Sequence, residues 1–420
     1  MRSFTLPNNN FNKLWAAQTV SQFGTWLGAL GLLAIFHLDA TPAQMGYLET
    51  AMSVPVLIIG LFAGVWADRL RRQPILIWAD GGRFVLLAMV VLLAWVGWLR
   101  IEFLYVIGFL VGCLVTCFNV TYRSYLPALV ERRKLVIANS RLSSSEVVAE
   151  IASPGLGGLL VQFIGGPLLV LVDALSFLFS VFLLGTIRIS REGPENEESP
   201  VRSASEESLS FRQDMRAGLQ AVGKSRILRA LLIPLAMGNF FGNFFAPLYA
   251  LYVIQDVGLS AALMGLTIGA GGLGALPATF ITERIAAALG VGRTMITARL
   301  ISATLGFLIP LAAGWDAAWI GLVLLLIPQL VGDFFGTIHD ILAISIRQSA
   351  APEDMLGRVN AGFEVVIGGC GTAGILVGGL LGSAIGMQSA LCIAVWGILL
   401  SAIVLALSPV VKLKEITDVI

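Results

Sequence analysis

Charge is scarce in this chain. Of 420 residues only 13% are Asp, Glu, Lys or Arg, histidine occurs twice and cysteine four times. A soluble globular chain is about a quarter charged, so this one lacks the polar side chains to cover a folded surface. Cys113, Cys117, Cys370 and Cys392 all fall in apolar stretches without metal-ligand spacing. They read as small apolar packing residues, and a secreted disulfide scaffold is excluded. There is no Gly-rich Lys-Ser/Thr phosphate loop and no paired metal ligands, so a hydrolase, redox or nucleotide-driven mechanism has no support. No cofactor and no nucleic-acid partner are expected, and the chain is not expected to be an enzyme. What remains in excess is apolar side chain, 57% of the residues with a mean hydropathy of +0.87. Disorder and a collagen-like repeat are excluded by the same figures. The composition is that of a polytopic membrane protein.

A helix needs about 20 apolar residues to cross the hydrocarbon core. Twelve such stretches occur, at 12–36, 43–66, 74–98, 101–125, 138–164, 167–187, 227–254, 260–282, 294–314, 317–346, 358–384 and 387–409. Barrel strands would be half as long and alternate in polarity, so the spans are helices and the fold class is an all-α membrane protein. The first run follows a polar start and is too long for a signal h-region, which makes it the first span. The one long polar insert begins with a Glu/Ser/Pro-rich piece, including Glu195, Glu197, Glu198 and Pro200, which favours a solvated linker. Its later part carries Phe211, Met215, Leu219 and Val222 near helical spacing, which predicts a helix lying at the surface. The expected organisation is a six-helix bundle over 1–187, a linker over 188–226 and a second six-helix bundle over 227–420.

Lys and Arg set the orientation. Alternate loops hold Arg69, Arg71 and Arg72, then Arg132, Arg133 and Lys134, then the linker, then Arg284 and Arg293, then Arg347 and Arg358, whereas the opposite loops hold only Arg100. Positive charge stays on the cytoplasmic side. Both termini and the linker are therefore expected in the cytoplasm, with the chain in a bacterial inner membrane.

The two halves repeat. Asn139, Gly157-Gly158-Leu159-Leu160 and Ile164-Gly165 recur as Asn360, Gly378-Gly379-Leu380-Leu381 and Ile385-Gly386, each 221 residues later. Leu14, Phe23 and Gly24 match Leu232, Phe241 and Gly242 at a similar offset. A parallel repeat of six helices suits a machine that rocks one half against the other around a midplane site.

Gly64-Val65-Trp66-Ala67-Asp68-Arg69-Leu70-Arg71-Arg72 closes the second span. It resembles the loop motif of the major facilitator superfamily, with Arg71 in place of that motif's second glycine. The resemblance implies a cytoplasmic gate in which Gly64 permits close helix approach, Asp68 bonds helix ends and Arg69, Arg71 and Arg72 hold the loop inside. Ser153-Pro154-Gly155-Leu156-Gly157-Gly158 is similar to the fifth-span signature of drug/proton antiporters in that superfamily, with Ser153 replacing a glycine. The competing reading of Ser153, Pro154, Gly157 and Gly158 is a packing face without directional meaning. Ser124 to Val130, Ala351 to Asn360 and Asp173 to Phe177 look like the subgroup containing the enterobactin exporter and the macrolide efflux proteins. That subgroup implies export of a siderophore, macrolide or other drug.

Ionisable groups inside a bilayer are functional candidates by default. Glu146 and Glu150 lie one turn apart in the fifth span and are candidates for proton coupling, Glu150 first; the structural alternative is pairing with Arg141 or Arg123. Asp173, Asp333 and Glu364 are further coupling candidates, and Asp333 has His339 and Asp340 nearby. Asp80 and Arg83, at i and i+3, are expected to neutralise each other. The antiporter group usually carries an arginine inside the fourth span, whereas Arg123 sits at the end of that span here. The uncharged polar set Gln18, Gln22, Asn119, Asn239 and Asn243, with Phe240, lies in the first, fourth and seventh spans. These residues are expected to line an amphiphilic pocket for an organic solute, and facing lipid is the alternative for the aromatics.

The expected activity is secondary active export of a moderately sized organic solute by rocker-switch alternating access, driven by proton antiport. Its partners are the solute, protons and membrane lipid, and a monomer is expected. A solute importer of the same fold and a lipid flippase are the rival readings.

Overall fold

The structure is a computed structural model that describes residues 9–69, 71–131, 134–187, 216–352 and 355–415. Its helices are α1 (Asn9–Trp26), α2 (Ala29–Leu38), α3 (Pro42–Arg69), α4 (Arg72–Trp95), α5 (Ile101–Leu129) and α6 (Leu135–Gly185). A short α7 over 216–224 precedes α8 (Arg226–Gly242) and α9 (Phe245–Leu251). Then follow α10 (Ala261–Leu289), α11 (Val291–Gly306), α12 (Ala318–Ile327), α13 (Asp333–Ala350), α14 (Leu356–Ile385) and α15 (Met387–Ala406). Among the described residues there is no strand, as lipid requires of a chain that is not a closed barrel.

Helix α6 spans 51 residues, about 77 Å at 1.5 Å per residue and more than twice the hydrocarbon thickness. It is two traverses. They part at Gly165, whose φ of 78° and ψ of 167° are closed to residues with a Cβ, and Pro167 opens the second. Gly386, 221 residues on, separates α14 from α15 with nearly the same angles, φ 88° and ψ 151°. The repeat read from sequence is thus a repeat of backbone geometry. The pairs α1–α2, α8–α9 and α12–α13 each make one interrupted traverse. With α3, α4, α5, α10, α11, α14, α15 and the two parts of α6 the described residues make twelve helical traverses.

Two compact units divide the chain. The first comprises Met1–Asp39 with Ala51–Phe211, and the second comprises Ala40–Thr50 with Arg212–Ile420. Phe11, Leu14, Leu76, Phe118, Tyr125 and Leu142 form a core of the first. Its α6 terminus is closed by polar side chains: Gln73 Nε2 donates to the carbonyls of Leu184 and Ile187 at 2.8 and 2.9 Å, and Lys13 Nζ donates to that of Thr186 at 2.8 Å. These are carbonyls that a helix end leaves without partners.

In the second unit, Leu228, Leu231, Met295, Leu342, Phe363 and Leu405 form a core. The expected surface helix is seen as α7, with Val222 in that core and Leu219 against Gly362 of α14. Phe211 and Met215 lie outside the described residues, as does linker segment 188–215. At the other end of α14, Gly46 and Gly379 bring the start of α3 against it, and the Ala43 amide donates to Ser383 Oγ at 2.8 Å. Helices in lipid gain little from burying apolar surface against one another, so small residues that permit close approach carry the packing.

Candidate transport sites

Each unit holds ionisable groups inside its helices. In the first unit, Asp80 and Arg83 of α4 form an ion pair and are 0% and 4% exposed. Ser180 Oγ, from the second part of α6, donates to Asp80 Oδ2 at 2.5 Å. The Arg83 guanidinium lies 4.9 Å from the ring centroid of Phe118 and 4.4 Å from that of Phe177, held between aromatic faces of α5 and α6. Asp173, two turns before Ser180, is buried and attracts the same guanidinium. Its Oδ1 has no hydrogen-bond partner. Room for that oxygen comes from Gly24 of α1, where a Cβ would overlap Asp173 Oδ1 and Ser176 Oγ. Two carboxylates, one of them ion-paired with Arg83, are therefore buried in the interior of this unit.

The fifth-span motif lies in the first part of α6. Ser153 is fully buried, Pro154 is half-buried, and Gly157 and Gly158 are buried. A Cβ on Gly157 would strike the main-chain carbonyl of Leu27, where α1 breaks before α2. The second unit repeats this arrangement: a Cβ on Gly378 would strike Phe244, where α8 breaks before α9. In both units the fifth traverse presses on the interruption of the first.

The second unit contains a cavity of about 300 Å³, bounded by α8, α9, α11, α13, α15 and the turn before α13. Arg299, Ser302, Gln329, Asp333, Tyr249 and Phe245 face it. Two of its walls adjoin single π-helical turns, Tyr252–Asp256 and Pro328–Gly332. Such turns widen a helix locally and recur at functional sites. Gln329 Nε2 donates to Tyr249 Oη at 3.3 Å, Tyr249 and Thr267 hydroxyls bond at 3.2 Å, and Thr267 Oγ1 donates to the Met264 carbonyl at 2.7 Å. Glycines make room for the charged groups here too. A Cβ at Gly238 would come 2.5 Å from Arg299 Nη2, and one at Gly271 would overlap Asp333 Oδ2. Asp340, two turns after Asp333, attracts Arg299. His339 is buried on another side, with Nδ1 3.2 Å from the Met295 carbonyl oxygen.

The remaining expected site residues fall in several places. Glu146 and Glu150 lie on an exposed face of α6. Glu364 is exposed and meets Arg347 at 3.4 Å. Gln18 is buried, Gln22 is half-buried, and the Oε1 of each lacks a partner; Asn119 is exposed on α5. Asn243 Nδ2 donates to the carbonyl of Asn239 at 2.8 Å, and Phe240 packs edge-on against Phe241 and Phe244. Arg71 is exposed, while Arg72 Nη1 donates to the Ser124 carbonyl at 3.0 Å, tying α4 to α5. The side chains of Gly64, Asp68 and Arg69 lie outside the described residues, as do Arg132, Arg133, Glu353 and Asp354.

Sequence reasoning passed over Arg299 and Glu49, the latter half-buried in α3. A signal for Arg299 existed: it stands 216 residues after Arg83 (299 − 83), close to the repeat offset, in the third traverse of its unit. Among the described residues no cluster of His, Cys, Asp and Glu could hold a metal ion.

Twelve apolar traverses in two repeated units, each with charge buried among its helices, define a multi-pass membrane transporter. Residues 4–419 match the family described as transmembrane secretion effector, within the major facilitator superfamily, and the chain belongs to that family. It is 25% identical over 387 residues to the uncharacterized MFS-type transporter YfiS of Bacillus subtilis (strain 168), covering 90% of this chain and 88% of that one. It is also 25% identical over 366 residues to the multidrug efflux pump Tap of Mycobacterium bovis (strain BCG / Pasteur 1173P2), covering 84% and 82%. Among solved structures, a bacterial homologue of the iron transporter ferroportin in an inward-facing state superposes with a TM-score of 0.75 at 18% identity, over 96% of this chain and 99% of that one. The nucleoside transporter NupG does so with a TM-score of 0.73 at 13% identity, over 95% and 98%. These structures share the fold. The chain is a transporter, not an enzyme.

Proposed function

We propose that this protein is a secondary active exporter of a moderately sized organic solute, a siderophore, macrolide or other drug, working by proton antiport and rocker-switch alternating access. The carrying observation is the Asp80–Arg83–Asp173 cluster. An ion pair with Asp80 already neutralises the charge of Arg83, so a second buried carboxylate is in excess, and charge in the membrane interior is costly unless paired. A proton on Asp173 leaves one neutral ion pair, and its departure draws Arg83 between two anions. That exchange gives the first unit two electrostatic states, the element a proton-driven carrier requires. The efflux relatives and the Ser153–Gly158 motif support export over import.

In this reading residues 1–187 and 227–420 are the rocking bundles and 188–226 is the linker. Both termini face the cytoplasm of a bacterial inner membrane, and the monomer is the working unit. Asp173 takes precedence over Glu150, Glu146, Asp333 and Glu364 as the coupling acid. The test is uptake of a fluorescent drug into everted vesicles. Uptake that is driven by an acid interior, collapses with a protonophore and disappears in Asp173→Asn is expected. Uptake indifferent to the protonophore overturns proton coupling, and greater dye accumulation in intact cells carrying the protein overturns export.

A further inference from the structure

After α15 the chain folds back as a strap, residues 408–415, across the turn between α10 and α11. The Val291 amide donates to the Lys414 carbonyl at 3.1 Å and the Gly292 amide to that of Leu413 at 2.9 Å. A Cβ on Gly292 would overlap the Val410 carbonyl oxygen, so the strap lies directly on the turn. Val410 and Leu413, 0% and 6% exposed, anchor it in the core of the unit. Burial of Leu413 leaves its neighbours Lys412 and Lys414 exposed. Strap and turn together border a cavity of about 500 Å³. Its ionisable lining is Arg293, from the first turn of α11, with Lys412, Lys414 and Glu415 from the strap, a formal excess of two positive charges. Lys414 and Glu415 also border an adjoining cavity together with Glu283. Arg293 and Lys412 are exposed, and among the described residues neither side chain is held by an ion pair or hydrogen bond. The apolar lip of the cavity is Leu289, the last residue of the α10 traverse, 56% exposed.

We infer that this cavity binds the phosphodiester headgroup of an anionic phospholipid, with Arg293 and Lys412 on the phosphate and Leu289 against the acyl chain. The end of a traverse lies at the depth of the lipid phosphates, and basic pockets there take anionic headgroups. The guanidinium fork of Arg293 matches phosphate oxygens, and Lys412 adds a point charge. The Val291 and Gly292 amides at the start of α11 are already taken by the strap, so side chains hold the anion. A zwitterionic lipid brings its own cation to a compartment that is already positive. A soluble phosphate gains nothing from the exposed apolar surface of Leu289. Because buried side chains and main-chain hydrogen bonds fix the strap, binding spends little on ordering it. No particular solute or direction of transport is needed.

The test is native mass spectrometry of the purified full chain in a non-ionic detergent. Phosphatidylglycerol is titrated in and, separately, phosphatidylcholine with the same acyl chains. Phosphatidylglycerol is expected to bind more tightly. Arg293→Gln and Lys412→Gln should each weaken it about fivefold, the ordinary effect of one cation near a charged membrane surface. Lys224→Gln removes an exposed cation of α7 and should leave the affinity unchanged. If Arg293→Gln fails to fold, Lys412→Gln decides the matter alone. Inorganic phosphate in tenfold excess should not displace the lipid. Displacement would assign the cavity to a soluble phosphate and overturn the lipid assignment. Equal binding of phosphatidylcholine overturns the inference, as does unchanged affinity in the Arg293→Gln, Lys412→Gln double variant. A loss in Lys224→Gln as large as in Lys412→Gln overturns it too, since attraction to any surface cation would then suffice. None of these outcomes touches export, which drug uptake into everted vesicles decides separately.

Discussion

Gly157 of α6 lies against the main-chain carbonyl of Leu27, at the point where α1 gives way to α2. Nothing larger than hydrogen fits there, because the obstacle is backbone and cannot rotate away. Gly157→Ala is therefore expected to destabilise by about 1–3 kcal/mol, the ordinary cost of overpacking. Gly378→Ala, against Phe244, should behave alike. Gly185→Ala has open space around it and should be neutral or slightly stabilising, since Ala is the better helix former. Thermal unfolding of the purified variants checks all three.

Arg83 is ion-paired with Asp80 and lies between two aromatic rings. Its replacement by Met leaves Asp80 buried without its cation, which is expected to cost about 3–5 kcal/mol. Arg83→Lys should recover only part of this, because an ammonium cannot reproduce the stacking of a planar guanidinium between Phe118 and Phe177. Removing Asp80 and Arg83 together should cost less than the two single losses added, and a double-mutant cycle read by unfolding measures the difference.

Glu364 is expected to be dispensable for coupling. Its ion pair with Arg347 is 3.4 Å long with the carboxylate side chain 73% exposed, and pairs of that kind contribute about 0–1 kcal/mol. Glu364→Gln should retain protonophore-sensitive drug uptake in everted vesicles. Loss of that uptake in Glu364→Gln with Asp173→Asn still active would reverse the order of the two carboxylates.

Tyr249 anchors a chain of hydroxyls from Gln329 to the Met264 carbonyl. Tyr249→Phe removes two hydrogen bonds in a buried setting, and a loss of roughly 1–3 kcal/mol is expected. The aromatic ring that lines the cavity stays, so the loss is that of the hydroxyl alone, and thermal unfolding of the purified variant measures it.

Hydropathy and spacing were enough to place twelve crossings, the repeat and the breaks at Gly165 and Gly386. Lipid makes those features one-dimensional: a traverse must be long enough, wholly hydrogen-bonded within itself, and interrupted only where a residue without a Cβ allows it. The neighbours of each charge were a different matter. In a membrane both faces of a helix are apolar, so periodicity does not reveal which way a carboxylate points, and Glu150 ranked ahead of Asp173 as the coupling candidate. Only the tertiary structure set Asp173 beside Arg83, ninety residues earlier in the chain (173 − 83). It also paired Glu364 with Arg347, and it gathered Arg299, Gln329 and Asp333 around one cavity. Those meetings depend on how helices rotate and close upon one another, which small residues such as Gly24, Gly238 and Gly271 decide by the space they leave.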